Sequence, residues 1–324
     1  MDIYVKKAII HQFSPDDTDL YLADKFLNIT PKIEEYLRKK IERVYSDEAK
    51  TGIFEEDNPF LELISDDLLD TSVAVANRWK EEFVVSENQK TNDLVFIQFS
   101  KEGVDHFAFL RIALRETLTH LGGEVDNPIK LTQNNLPGFG TGADEALVIN
   151  LQSRKYHLIE KRIKYNGTFL NYFSENLLQA QPKISPKKSI KALEKTAQKI
   201  AESFNTDDFQ FQSKVKSAIF NHIEEENKLS PEKLADDLFN DNLTARLSFI
   251  DQVKEAVPEP VTFEEIDASR QLKKFENQKL SLSNGIELIV PNNVYEDAES
   301  VEFILNENGT YSILIKNIED IQSK

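Results

Sequence analysis

The stretch "DLVFIQFSKEGVDHFAFLRIAL", residues 93–114, holds two runs of β-forming residues, DLVFIQF and DHFAFLRIAL, on either side of the polar SKEG. Val, Ile and Phe enriched on both sides of a Gly-containing turn read as an antiparallel hairpin. Outward from it, YVKKAIIHQF (4–13) and DLYLADKF (19–26) bracket the turn SPDDT, and ALVINL (146–151) and KYHLIEKRI (155–163) flank QSR. Each pair predicts a further hairpin. Between them lie two helical patterns. Thr30 and Pro31 supply an N-cap and a first-turn proline, and Ile33, Leu37, Ile41 and Val44 recur at helical spacing over roughly 31–46. A second helix is expected over about 66–83, with Leu69, Val73, Ala76 and Phe83 inward. Hairpins with helices inserted between them define an α+β fold with an N-terminal antiparallel sheet over 1–165.

From about residue 167 the pattern changes. Helical periodicity follows at 168–180, 186–204, 207–227, 231–240 and 243–256, broken by Pro, Asn and Asp signals. AVPEPVTFEE (256–265) is a Pro-punctuated connector, and KLSLSNGIELIVP (279–291) carries an Asn-Gly turn between apolar runs. VEFILNENGTYSILIK (301–316) is a last hairpin with NENG at its tip. Residues 166–324 are therefore expected to form a mainly helical domain closed by a small antiparallel β-sheet.

The apolar fraction of 40% and charged fraction of 29% describe a globular chain of 324 residues, and 56 acidic against 39 basic residues give a net charge of −17. The mean surface should repel DNA and anionic membranes, which argues against binding driven by overall charge and says nothing about a local patch. The absence of cysteine excludes disulfides, thiolate chemistry and Cys-type zinc sites. No apolar run approaches the roughly 20 residues of a membrane span, and MDIYVKKAIIHQF lacks a signal-peptide pattern. The expectation is a cytoplasmic protein without a membrane partner.

Chemistry-bearing motifs are sparse. His11, His106, His120, His157 and His222 are scattered without metal-binding spacing, and no GxSxG occurs. LPGFGTGADEAL (136–147) satisfies G-x-G-x-x-A through Gly138, Gly140 and Ala143. The dinucleotide fingerprint needs a strand before and a helix after; here the polar LTQNNLP precedes and the strand-like ALVINL follows. A loop leading into a strand is the reading. Asp66–Asp67, Asp236–Asp237 and Glu224–Glu226 lie where solvated helix faces or ends are expected. No catalytic residue, metal site or cofactor is expected, and the chain reads as a non-enzyme.

One segment departs from the acidic background. Between Arg154 and Lys199 there are eleven Lys or Arg and three Glu, a balance of +8, leaving −25 on the rest of the chain. Within it, SPKKSIKALEKTAQKI (185–200) begins with Ser185 as N-cap and Pro186 at the first helical position. Ile190, Leu193, Ala197, Ile200 and Phe204 fall on one face; Lys188, Lys191, Lys195 and Lys199 form a stripe nearly opposite, with Lys187 beside them. Such a row suits the phosphate backbone of duplex DNA, read without sequence preference because Lys delivers point charge. A plain solvated helix face accounts for the same spacing. Arg270, Lys273 and Lys274 form a smaller cluster, as do Arg38, Lys39, Lys40 and Arg43, each with acidic neighbours.

ERVYSDEAKTGIFEE (42–56) resembles a characteristic segment of the bacterial 37-kDa nucleoid-associated protein family. The resemblance continues in order through DLVFIQF, FAFLRIAL, ALVINL, GTFLNYFSENL and SRQLKKF before a closing hairpin, covering most of the chain. It implies a cytoplasmic protein at the nucleoid that binds DNA and has no known enzymatic activity. No family motif maps onto 186–204, so its lysines remain a local inference. The acidity equally suits an adaptor that binds another nucleoid protein rather than DNA. A homodimer would add avidity on a polymer with many sites, although no residue pattern specifies one.

Overall fold

The computed structural model describes residues 1–16, 18–86, 90–120, 129–205, 209–263, 265–320 and 322. The chain forms two compact units, Met1–Ser185 and Pro186–Lys324.

In the first unit the hairpin at 93–114 is central. Strands β4 (Asn92–Lys101) and β5 (Val104–Ala113) pair antiparallel with Lys101 opposite Val104. Glu102 and Gly103 close the turn at φ 53° and 81°, the pair of left-handed conformations that matches the strand twist. Around them lie β1 (Ile3–Ser14), β2 (Asp19–Tyr21), β3 (Lys50–Ile53), β8 (Glu145–Asn150) and β9 (Lys155–Ile159), giving a seven-stranded sheet in the order β2-β1-β4-β5-β8-β9-β3. Every pairing in it is antiparallel. All three expected N-terminal hairpins are present.

The sheet is covered on both faces, which is why its central strands are continuous apolar runs rather than alternating ones. Helix α1 (Pro31–Val44) buries Leu37, Ile41 and Val44 over one face, against Ile3, Val5, Val95, Ile97, Phe99, Leu110 and Val148. Thr30 caps it, its Oγ1 accepting from the Ile33 amide. Helix α2 (Leu68–Phe83) covers the other face with Leu68, Val75, Ala76, Trp79 and Phe83. Leu69 and Val73, expected inward, are only half-buried: the stripe is centred one position round the helix, on Trp79.

Three expectations are corrected here. The pattern at 168–180 is not a helix. Strand β10 (Ile163–Tyr165) turns at Asn166–Gly167 (φ 48° and 83°) into β11 (Thr168–Leu170), and a single π-helical turn, Phe173–Leu177, follows. Tyr172, Phe173, Leu177 and Leu178 are buried in the core shared with α2. These aromatics need the sheet face, so the first unit runs to Ser185 rather than ending near 165. The polar LTQNNLP lies largely in a strand, β7 (Ile129–Asn135), paired with β6 (Arg115–His120) in an exposed hairpin whose hydrophilic residues hid it.

The second unit packs α3 (Pro186–Ser203), α4 (Phe209–Glu226), α5 (Pro231–Leu238) and α6 (Leu243–Lys254) around Leu193, Ile219, Leu234 and Phe249. A two-stranded pair, β12 (Lys228–Leu229) and β13 (Val261–Thr262), precedes α7 (Glu265–Phe275), a helix that the connector reading did not anticipate. The chain closes with two separate hairpins rather than one sheet: β14 (Asn277–Ser281) with β15 (Glu287–Pro291), and β16 (Val301–Leu305) with β17 (Tyr311–Ile315). A short helix, α8 (Asn292–Tyr295), stands between them. Buried Asn292 ties the first hairpin to α4, its Oδ1 accepting from Ser217 Oγ at 2.7 Å and Gln278 Nε2 at 2.8 Å.

An ionic group lies at the heart of the first unit. Arg111 on β5 donates through Nε to Glu145 Oε2 at 2.6 Å and through a terminal nitrogen to Asn92 Oδ1 at 2.9 Å. The Tyr172 hydroxyl donates to the same carboxylate oxygen and accepts from Trp79 Nε1 at 3.0 Å. Removing one partner strands the other in an apolar core, so Arg111→Met is expected to lower unfolding free energy by roughly 3–5 kcal/mol. Arg111→Met with Glu145→Leu should lose less than either single change, a comparison that urea titration makes directly. A second expectation concerns Gly52, opposite Tyr156 in the β3–β9 pair. A Cβ there would lie 2.3 Å from the tyrosine oxygen and 2.4 Å from its ring. Gly52→Ala should therefore destabilise by about 1–3 kcal/mol, read from the same titration.

Candidate nucleic-acid interface

Helix α3 forms as its sequence dictates. Ser189, Ile190, Leu193, Ala197, Ile200 and Ala201 are buried on one side, with Phe204 packed against the same core. Lys188, Lys191, Lys195 and Lys199 are exposed on the other, while Lys187 is half-buried in the first turn. The four lysines thus share a face, but not one environment. Lys199 turns toward α6 and donates to Gln252 Oε1 at 3.0 Å. Lys191 and Lys195 border a groove of about 330 Å³ between α3 and α4, lined also by Glu194, Gln198, Gln212, Val215 and Lys216.

Two of these residues alter the sequence reading. Lys216 adds an ammonium from α4 that was not anticipated. Its signal was available: Gln212 and Lys216 are spaced i, i+4, beside the buried row Phe211, Val215 and Ile219. Glu194 is the counter-element. Burial raises its pKa above the ordinary glutamate value, while Lys216 and Lys191 pull it back down. The groove is therefore a cationic surface with one half-buried acid set into it.

Arg270, Lys273 and Lys274 are all exposed on α7, where Lys274 Nζ donates to Gln271 Oε1 at 3.3 Å. Helix α7 packs chiefly on α4, and α3 chiefly on α6, so the two basic clusters belong to different layers of one unit. The acidic runs are largely engaged locally. Asp236 pairs with Arg246 at 2.9 Å, Asp237 meets His222 Nε2 at 2.7 Å, and Glu226 pairs with Lys233. Among the described residues no group of three or more His, Asp or Glu could hold a metal ion, and no helix is long and apolar enough to cross a membrane.

The class of the protein comes from a match over nearly the whole chain: residues 9–321 fit a family of nucleoid-associated proteins. That family is NA37, nucleoid-associated protein YejK, and the chain belongs to it. No curated protein matches the chain. The expected resemblance is borne out, and the family gives the chain a nucleoid-associated role.

The groove makes a titration prediction. Lys191→Ala or Lys216→Ala removes a cation that favours the Glu194 carboxylate, so each should raise the Glu194 pKa further. Side-chain carboxyl NMR across pH 4–8 reads the shift; an unchanged midpoint in both variants would place the lysines elsewhere.

Proposed function

We propose that the protein contacts the phosphate backbone of duplex DNA through the α3 lysines and Lys216, without base readout and without catalysis. The observation that carries this reading is the exposed row Lys188, Lys191, Lys195 and Lys199, extended across the groove by Lys216, on a chain whose residues outside Arg154–Lys199 sum to −25. Ammonium groups neutralise phosphates and release counterions, an interaction that needs no base edge. Lys187, and Arg270, Lys273 and Lys274 on α7, are secondary contacts to the same polymer. The proposed setting is the nucleoid within the cytoplasm, and a homodimer would double the number of such faces.

The net charge of −17 supports a second reading. An acidic body reaches the nucleoid equally well by binding a basic protein already on DNA.

Duplex binding measured across a salt series separates the two. Direct contact predicts binding at low salt with a linear log–log slope. Each lost lysine–phosphate contact should make that slope shallower by roughly 0.9. Changing Lys188, Lys191, Lys195 and Lys199 to Glu should abolish most of the binding, and Glu194→Gln should strengthen it at neutral pH. Absence of duplex binding at low salt overturns the proposal, and nuclease-resistant capture of a specific basic protein then carries the second reading.

A further inference from the structure

The structure joins two features that the sequence left unconnected, the basic cluster of α1 and the loop carrying Gly138 and Gly140. Lys40 is fully buried although it is charged. Its ammonium donates to the carbonyl oxygens of Pro137, Gly138 and Thr141 at 3.3, 2.9 and 2.5 Å, and lies 4.5 Å from the centre of the Tyr36 ring. The Tyr36 hydroxyl also donates to the Pro137 carbonyl, at 3.0 Å. Three peptide units thus turn their oxygens inward. In a trans peptide the next residue's N–H points opposite the carbonyl. The amides of Gly138, Phe139 and Gly142 are therefore directed away from Lys40. Gly138 and Gly140 are exposed, with open space where a Cβ would stand, so a ligand can approach the backbone closely.

Two guanidinium groups belong to the same locality. Arg43 lies one helical turn beyond Lys40, and its Cδ is 3.6 Å from the position of a Cβ on Gly142. Arg115 opens β6, opposite Asn135 just before the loop. Neither side chain forms an ion pair among the described residues, whereas the nearby acids are engaged. Glu42 faces Arg38 at 3.9 Å, Glu116 accepts from Gln133 at 3.2 Å, and Asp144 accepts from Lys161 at 3.0 Å and from the Ala113 amide at 2.9 Å. The cations also act on one another: burial first, then Arg43 and Arg115, lower Lys40 to about 8.

We propose that the loop Pro137–Gly142, with Arg43 and Arg115, binds a phosphate group. Outward amides, an underlying fixed positive charge and two free guanidiniums are the elements that recognise such an oxyanion. The site lies in the first unit and does not rest on the DNA reading of α3. Its phosphate can come from free inorganic phosphate or from a polynucleotide backbone.

The test is amide NMR of the full chain titrated with inorganic phosphate, against chloride at matched ionic strength, and separately with a short duplex. Phosphate should shift the Gly138, Phe139 and Gly142 amides. Arg43→Ala and Arg115→Ala should each weaken that response by about tenfold or more, the usual worth of a charge-assisted hydrogen bond. Both arginines are exposed, so the variants should keep the wild-type melting temperature. If the duplex moves the same amides even when the four α3 lysines are changed to Glu, the phosphate is that of a polynucleotide. If inorganic phosphate moves them and the duplex does not, the ligand is free phosphate. Amides that neither titrant moves, or that move equally in the double Arg variant, overturn the proposal.

Discussion

The Arg111–Glu145 pair is the constraint on which the first unit depends. Both side chains sit in a sheet covered on both faces, where an isolated charge is costly. The two residues are directly opposite in the β5–β8 register, so pairing the charges and aligning the strands are one event. A slip by one residue would separate the charges and exchange the two apolar faces together. The Glu145 carboxylate extends the constraint outward, since Tyr172 donates to it and Trp79 donates to Tyr172. Helix α2, the sheet and the segment after β11 are fastened by one chain of hydrogen bonds. Phe83 lies 5.2 Å beneath the guanidinium and completes its enclosure.

The same chain also shows how an acidic protein can keep usable positive charge. Several of its acids are matched to local cations, as at Asp236 and Glu226. The cations of the α3 groove are concentrated instead, with Glu194 as the acid set among them. Screening at physiological salt acts over about 8 Å, so a polyanion in contact with that groove feels its lysines far more than distant carboxylates. An acidic body would act at longer range, slowing the approach of such a polyanion.

Much of the fold was legible because apolar period and turn chemistry agreed. Glu102–Gly103 and the capped start of α1 are local signals, and the structure realises both. What was not legible required long-range information. Tyr172 and Phe173 follow a helical-looking spacing, and only the sheet beneath them makes that segment part of the first unit. Strands β6 and β7 are exposed and hydrophilic, with no burial pattern to reveal them. At the candidate interface the α3 lysines were readable from one helix alone. The helical spacing of α4 offered Lys216, but its place beside the α3 lysines and the half-buried state of Glu194 arise from the packing of α3 on α4.

The loop at Gly138 and Gly140 shows why a motif needs its surroundings. In a dinucleotide fingerprint, glycines let backbone amides close on a phosphate at a helix N-terminus. Here no helix follows, and β8 begins at Glu145. The loop closes instead on the Lys40 ammonium, toward which the carbonyls of Pro137, Gly138 and Thr141 face. Burying an ammonium is expensive unless its donors are satisfied, and three carbonyls satisfy all three. That internal requirement sets the peptide planes, and the planes determine where the amides point. A structural solution for one buried cation thereby presents outward donors to an anion, and Arg43 and Arg115, which form no ion pair among the described residues, give those donors a charge to work with.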